Sequence, residues 1–250
     1  KALEMDAESR ALLLLSSYSA IANRTSFFFD LQGPSVAVDS MCSSGLQAVH
    51  QACQSLKAGE CRLAIAGGVN LSLLPEKYVG LSQAGLVGSH AASRSFAGGN
   101  GYLPSEGVGA VLLKPLADAL ADGDAVLAVI RASMANYAGH AAGYAVPNVD
   151  AQARLLAENL DAAGIDPRSI GYVEAAANGS SIGDAIELRA LGRVFAGGQG
   201  IPLGSVKANL GHAEAASGMA QLTRVLLQFQ HRRLVPSPGL PGLEAAGSPF

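Results

Sequence analysis

Short apolar strands alternate with amphipathic helices along this chain, and one small-residue helix opening occurs twice. That combination narrows the possible folds more than any other feature. Candidate strands are Ser35–Val38, Arg62–Ala66, Gly109–Leu113, Ala125–Ala132, Gly171–Ala175 and Leu203–Val206. Candidate helices lie near Ser44–Lys57, Asp150–Ala163, Gly183–Val194 and Glu214–His231. The alternation predicts βα units and a substantially parallel sheet, an α/β class. Cys42-Ser-Ser-Gly-Leu-Gln-Ala-Val opens a helix after one strand, and Ala216-Ser-Gly-Met-Ala-Gln-Leu opens another, a weak internal repeat. Two related halves, 1–117 and 118–250, are expected to meet at the polar stretch Ala117–Asp124.

A chain of 250 residues with 49% hydrophobic content, 15% charge and 30 glycines can build an extensive core. Its net charge of −3 and lack of a basic cluster argue against nucleic acid, whose phosphates need grouped Lys and Arg. No apolar run approaches the roughly eighteen residues of a membrane span. The first residues have no charged-then-apolar leader pattern, so a cytoplasmic location is the default expectation. Cys42, Cys53 and Cys61 are an odd number without paired spacing, so neither a disulfide framework nor a metal site is expected. Cys53 shares a helix face with Leu46, Val49 and Leu56 and reads as core.

Cys42 is the sharpest chemical candidate, because a β-rich segment delivers its thiol to the first turn of an amphipathic helix. Aligned backbone N–H groups there favour a thiolate by up to roughly 2 kcal/mol, which would bring the thiol from about 8.5 to about 7. The alternative is a small buried hydrophobe, since free Cys is among the most buried residue types. If the halves are duplicated, the loops ahead of the two related helices face each other, and Cys42 meets Lys207 and His212. Gly211-His212 could equally be an ordinary loop histidine.

Four segments, in order, bring in a family. They are Ile21-Ala-Asn-Arg through Gly33-Pro-Ser-Val-Ala-Val-Asp-Ser-Met-Cys-Ser-Ser-Gly-Leu; Ala66-Gly-Gly-Val-Asn-Leu; Glu106-Gly-Val-Gly-Ala-Val-Leu-Leu-Lys-Pro-Leu; and Gly204-Ser-Val-Lys-Ala-Asn-Leu-Gly-His-Ala-Glu-Ala-Ala-Ser-Gly. Through them the chain resembles the β-ketoacyl synthase (ketosynthase) domains of modular polyketide synthases over nearly its whole length. The resemblance implies the thiolase-like fold, a duplicated αβαβα layered sandwich that is usually a homodimer. It implies that Cys42 accepts an acyl chain from the phosphopantetheine arm of an acyl carrier protein, with no cofactor bound by the chain itself. It also implies His212 as a catalytic histidine, Lys207 as a supporting cation, Glu214 in the polar network, and an oxyanion hole of backbone N–H groups near Cys42.

One loop departs from the family pattern. Where ketosynthases read Glu-Ala-His-Gly-Thr-Gly-Thr-x-Leu-Gly-Asp-Pro-Ile-Glu, this chain has Glu174-Ala-Ala-Ala-Asn-Gly-Ser-Ser-Ile-Gly-Asp-Ala-Ile-Glu187 without a gap. Ala176 stands where a second catalytic histidine is expected. Decarboxylative condensation needs both imidazoles, and groups of this kind are worth about 10²–10⁴-fold each. Asn178 and Ser180 occupy threonine positions that bind the pantetheine arm, and both can still donate a hydrogen bond. Ala185, Ala97 and Tyr137 are further departures. Met41, beside the nucleophile, either shapes the acyl tunnel or fills core.

The resemblance also implies a longer stretch between Arg10 and Ile21, with an abrupt joint near Leu15-Ser-Ser-Tyr, and further segments before and after the chain, so an incomplete domain is expected. His50, His90, His140 and His231 have no metal-ligand spacing, and Gly98-Gly-Asn-Gly101 lacks the strand-to-helix context of a dinucleotide site. The expected function is a non-elongating ketosynthase, an acyltransferase that passes an acyl chain between carrier proteins beside neighbouring polyketide synthase domains. A non-catalytic dimerisation and docking scaffold is the alternative. An ordinary elongating synthase is a third possibility, with Asn178 the nearest residue to replace the lost imidazole.

Overall fold

A computed structural model of the chain describes residues 16–143, 145–197 and 200–238. In chain order the elements are helices α1 (Ser19–Phe28) and α2 (Ser44–Ala58), strand β1 (Ala64–Asn70), helix α3 (Pro75–Gln83), strand β2 (Gly107–Leu113), and helices α4 (Leu116–Ala121) and α5 (Val149–Ala163). They continue with β3 (Val173–Glu174), α6 (Ser181–Val194), β4 (Leu203–Gly204), α7 (Lys207–Leu210) and α8 (Ser217–His231). Single 3-10 turns, Met41–Ser43 and Glu214–Ala216, lead directly into α2 and α8.

Local chemistry explains the helix limits. Asn148 Oδ1 accepts from the N–H groups of Asp150 (2.9 Å) and Ala151 (3.1 Å), capping α5. Helices α2 and α5 end at Gly59 (φ 74°) and Gly164 (φ 63°), left-handed positions that suit a residue without a β-carbon. The four anticipated helices are present, except that Glu214–Ala216 forms a separate turn ahead of α8. Helices α1, α3, α4 and α7 are additional to those expected, although Pro75 and Glu76 in the first turn of α3 are ordinary start signals. The polar stretch read as a seam begins inside α4.

The strands differ more from expectation. β1 and β2 pair antiparallel, Ala64 opposite Leu113 and Asn70 opposite Gly107, whereas β3 and β4 pair in parallel. Apolar periodicity reports a strand's faces but not its direction, and the long connection through α3 leaves either direction open. Ser35–Val38 and Ala125–Ala132 form no ladder among the described residues, and a strand is defined by its partner. The joint at Leu15 lies at the edge of the described residues, and Leu15 itself lies outside them.

One apolar cluster unites Phe96, Leu160, Leu191, Phe195 and Ile201 with Ala175 and Ala177, beneath the loop that carries Ala176. A second joins Val49 of α2, Ala66 of β1 and Met219 of α8, with Cys53 packed against it as expected. Met219 is 2% exposed; burying a side chain of this size stabilises by about 1.5–3 kcal/mol. Its seat depends on Gly109, where a β-carbon would come within 2.9 Å of the Met219 β-carbon. Among the described residues no helix is long and apolar enough to cross a membrane.

Candidate functional site

Cys42 is the middle residue of the Met41–Ser43 turn. Met41 has φ 56°, left-handed backbone that costs a residue with a β-carbon roughly 1–2 kcal/mol. Side chains hold the turn: Asp39 Oδ1 accepts from the Met41 N–H (3.0 Å), while Ser44 Oγ accepts from the Ser40 N–H (3.0 Å) and donates to the Met41 carbonyl (2.6 Å). Met41 is 70% exposed on this chain and so is not core filler among the described residues.

The Cys42 thiol is not acidified as its helix-terminal place suggested. Burial, and after it the Glu214 carboxylate, push it up, outweighing Lys207 and a backbone hydrogen bond. The residue as a whole is nevertheless exposed, so solvent screens part of that effect. Both charged neighbours belong to the other half of the sequence, and the turns Met41–Ser43 and Glu214–Ala216 lie against each other. The fold therefore brings Cys42, Lys207 and Glu214 into one neighbourhood.

His212 is buried two residues ahead of the second turn, tied to the chain by its own N–H on the Leu103 carbonyl (2.7 Å). Its ring lies 4.7 Å, centroid to centroid, from that of Tyr102. Nδ1 accepts from the Glu214 main-chain N–H (3.0 Å) and lies 2.6 Å from Ser217 Oγ. An acceptor Nδ1 leaves the imidazole proton on Nε2. Burial, with help from the Lys207 charge, pushes His212 down to about 3, so the ring is neutral. His212 is thus an anchored neutral donor rather than a stray loop histidine.

Lys207 is 4% exposed at the start of α7. Burial pushes its ammonium down, against the charges of Glu187, Cys42, Glu174 and Asp184. The turn that delivers it is pinned by Glu174, whose Oε1 accepts from the Val206 N–H (2.6 Å) and whose other oxygen lies 3.5 Å from Arg224 Nε.

Ala176 sits in a loop held almost entirely through its backbone. The Glu187 carboxylate accepts from the N–H groups of Ala176 (2.7 Å) and Ala177 (2.8 Å), and Ser205 Oγ donates to the Ala176 carbonyl (3.3 Å). Asp184 accepts from the N–H groups of Phe96 (2.7 Å) and Gly179 (3.2 Å). Burial pushes both carboxyls up, while these donors and the Lys207 charge pull them down. Ala177, fully buried, is held at φ 36°, a conformation that favours the glycine of the family pattern. Ala176 itself is exposed, so the position lacks an imidazole without lacking space.

Asn178 and Ser180 serve the local backbone. Asn178 Oδ1 accepts from the Ser180 N–H (3.0 Å), and Ser180 Oγ caps α6 through the Gly183 N–H at 3.5 Å. Three residues escaped the sequence reading as parts of this site: Glu187, Tyr102 and Lys77. The closing Glu of Gly183-Asp-Ala-Ile-Glu187 was a visible signal, whereas Lys77 had none, because its ion pair with Glu214 spans the two halves. Among the described residues no group of His, Cys, Asp and Glu could hold a metal ion, and the three cysteines are free thiols.

Family models cover both halves: residues 2–119 match the N-terminal domain of β-ketoacyl synthases, and residues 127–240 match the C-terminal domain. The chain belongs to the β-ketoacyl synthase family. This ketosynthase chain is 47% identical over 250 residues to polyketide synthase PksL of Bacillus subtilis, covering 96% of the chain and 6% of the relative. It is 54% identical over 221 residues to PksR of the same organism, covering 87% and 9%. It therefore spans less than a tenth of the length of these relatives. Among solved structures, an oxazolomycin ketosynthase domain from Streptomyces albus superposes with a TM-score of 0.90 at 50% identity, covering 94% of this chain and 43% of that one. The ketosynthase from module 6 of the bacillaene synthase of Bacillus subtilis gives 0.90 at 37% identity, covering 98% and 46%. The ketosynthase chain accordingly has the thiolase-like fold.

Proposed function

We propose that this ketosynthase is a non-elongating acyltransferase of a polyketide synthase. It takes an acyl chain from the phosphopantetheine arm of an acyl carrier protein onto Cys42 and returns it to a carrier without adding carbons. The observation that carries the reading is the methyl group of Ala176 at a loop position otherwise fully organised by Glu187 and Asp184. On this reading the chain needs no cofactor of its own, and the pantetheine thiol comes with the carrier. A homodimer working in the cytoplasm beside neighbouring synthase domains belongs to the same reading.

In the transfer, the Cys42 thiolate attacks the thioester carbonyl carbon. A C–S bond forms, negative charge moves onto oxygen, and the pantetheine thiolate leaves and takes up a proton equivalent to the one Cys42 lost. Neutral His212, with its proton on Nε2, supplies a donor for the developing oxyanion alongside backbone N–H groups near Cys42. Lys207 supplies positive charge near the sulfur. Release is the same sequence in reverse onto a second pantetheine thiol. Condensation would need, besides this, a group to promote loss of carbon dioxide from malonyl thioester and to hold the enolate, and Ala176 offers none.

The upward-pushed Cys42 thiol favours a second reading, a docking and dimerisation scaffold that retains its cysteine by descent. One experiment separates the readings. The intact domain is incubated with an acylated carrier protein, then with malonyl carrier protein, and both proteins are followed by intact mass spectrometry. Acyl-Cys42 with no elongated product supports the transfer reading, no acylation supports the scaffold, and elongated product overturns both.

A further inference from the structure

Lys77 lies on α3, outside the four motif segments of the sequence though within the stretch matched by the N-terminal family model, and the acyl-transfer reading gives it no task. Its ammonium forms an ion pair with Glu214 Oε2 (3.0 Å) and donates to Asn70 Oδ1 (2.7 Å). Asn70 is a firm anchor, 9% exposed at the end of β1, with its side-chain NH₂ donating to the Ser105 carbonyl (2.8 Å). The side chains of Lys77 and Glu214 are 26% and 18% exposed, so solvent only partly screens the pair.

At its other end Glu214 touches the histidine. Its main-chain N–H donates to His212 Nδ1 from a backbone held at φ 44°, which a residue with a β-carbon adopts only when its surroundings hold it there. The second partner of Nδ1, the Ser217 hydroxyl, can rotate to donate or accept and does not choose the tautomer. A main-chain N–H can only donate. The Glu214 N–H is therefore the group that makes Nδ1 an acceptor. Tyr102 adds a weak hold, its hydroxyl 3.4 Å from Glu214 Oε1, and leaves Lys77 as the main tether of that side chain.

We infer that Lys77 is a positioning residue of the ketosynthase site: by tying the Glu214 side chain to Asn70, it keeps the Glu214 N–H on His212 Nδ1 and the imidazole proton on Nε2. The inference deepens the acyl-transfer reading and rests on it, since the Nε2–H is the donor assigned there to the thioester oxygen.

The test uses the intact domain labelled with ¹⁵N-histidine, in wild-type, Lys77→Met, Lys77→Gln and Lys77→Arg forms. Imidazole ¹⁵N shifts report the His212 tautomer, assigned by loss of the signal in His212→Asn. Acylation of Cys42 by an acyl-pantetheine thioester is followed by intact mass. In the wild type, Nδ1 is unprotonated and Nε2 protonated. Lys77→Met and Lys77→Gln mix the tautomers and slow acylation about tenfold, mostly in kcat, as loss of a charge-assisted tether implies. Lys77→Arg restores both. An unmoved tautomer in the Met and Gln variants, or a rate loss without a tautomer change, overturns the inference, and so does failure of Arg to restore them. Absence of acylation in the wild type defeats the acyl-transfer reading, while the tautomer result still decides the role of Lys77.

Discussion

Gly218 lies so close to Leu46 that a β-carbon built on it would come within 2.6 Å of Leu46 Cγ and 2.8 Å of the Leu46 nitrogen. The approach is reciprocal. A β-carbon on Gly45 would meet the Ala215 carbonyl at 3.0 Å and the Met219 nitrogen at 3.5 Å. Ser44-Gly45-Leu46 and Ser217-Gly218-Met219 thus face each other as equivalent openings of α2 and α8. The equivalence extends to the turns ahead of them, where Met41 (φ 56°) and Glu214 (φ 44°) hold matching left-handed backbones. This contact presses the Cys42 turn against the turn that carries Glu214.

Gly218→Ala should therefore act on stability and site together. The added carbon meets backbone as well as side chain, so relaxing Leu46 alone does not relieve it. A loss of about 1–3 kcal/mol, typical of overpacking, is expected in urea denaturation. Gly80→Ala, inside α3 where a β-carbon meets nothing within 4 Å, is the control and should stabilise slightly, by about 0.5–1 kcal/mol.

The Cys42 thiol should behave as a reluctant thiolate. Its pKa lies above the ordinary thiol value, so the rate of iodoacetamide modification should keep rising with pH beyond the range in which a free thiol levels off. Glu214→Gln removes a cause of the upward push and should shift that profile to lower pH. A plateau near neutrality in the wild type would contradict this account.

His212 should make the fold acid-sensitive. The group titrates near 6.5 when unfolded but only at about 3 when folded, so between these values the unfolded chain binds more protons. Stability contributed by the neutral ring is present above the unfolded value and is lost as pH falls through this window. The component amounts to about 2 kcal/mol between pH 7 and pH 5. Urea midpoints at those two pH values should differ more for the wild type than for His212→Asn.

Placing an imidazole at position 176 tests the proposed lack of condensation directly. Ala176 is exposed, and its backbone is already positioned by Glu187, so Ala176→His can be accommodated without repacking. Condensation with malonyl carrier protein should rise by about 10²–10⁴-fold, the usual worth of such a group. Acylation of Cys42 should change little. No gain in condensation would mean that the other departures in the loop, Asn178 among them, also block the reaction.

Glu187→Ala should cost more stability than Glu187→Gln. Alanine leaves the N–H of buried Ala177 without its acceptor, a loss of about 1–3 kcal/mol, and frees the N–H of exposed Ala176, which water can satisfy at smaller cost. Glutamine keeps one carbonyl oxygen to share between them. Thermal unfolding of both variants checks the order.

Much of this protein is written locally. The helix limits follow from Asn148, Gly59 and Gly164, because a cap or a left-handed glycine is a choice made within a few residues. The repeated Ser-Gly pair signals the duplication, and the long motifs around Cys42 and His212 signal the family. The proposal about Ala176 comes from the sequence alone, through an ungapped comparison with the family motif. Tertiary structure decided what depends on partners distant in sequence. β1 runs antiparallel to β2, although apolar pattern carries no direction, and Ser35–Val38 and Ala125–Ala132 form no ladder among the described residues. The thiol's shift runs opposite to the expected direction because burial and the Glu214 charge, neither visible in local sequence, outweigh Lys207 and a backbone hydrogen bond. The tether from Lys77 through Glu214 to His212 begins with an ion pair between residues more than a hundred positions apart, and only folding makes those two charges neighbours.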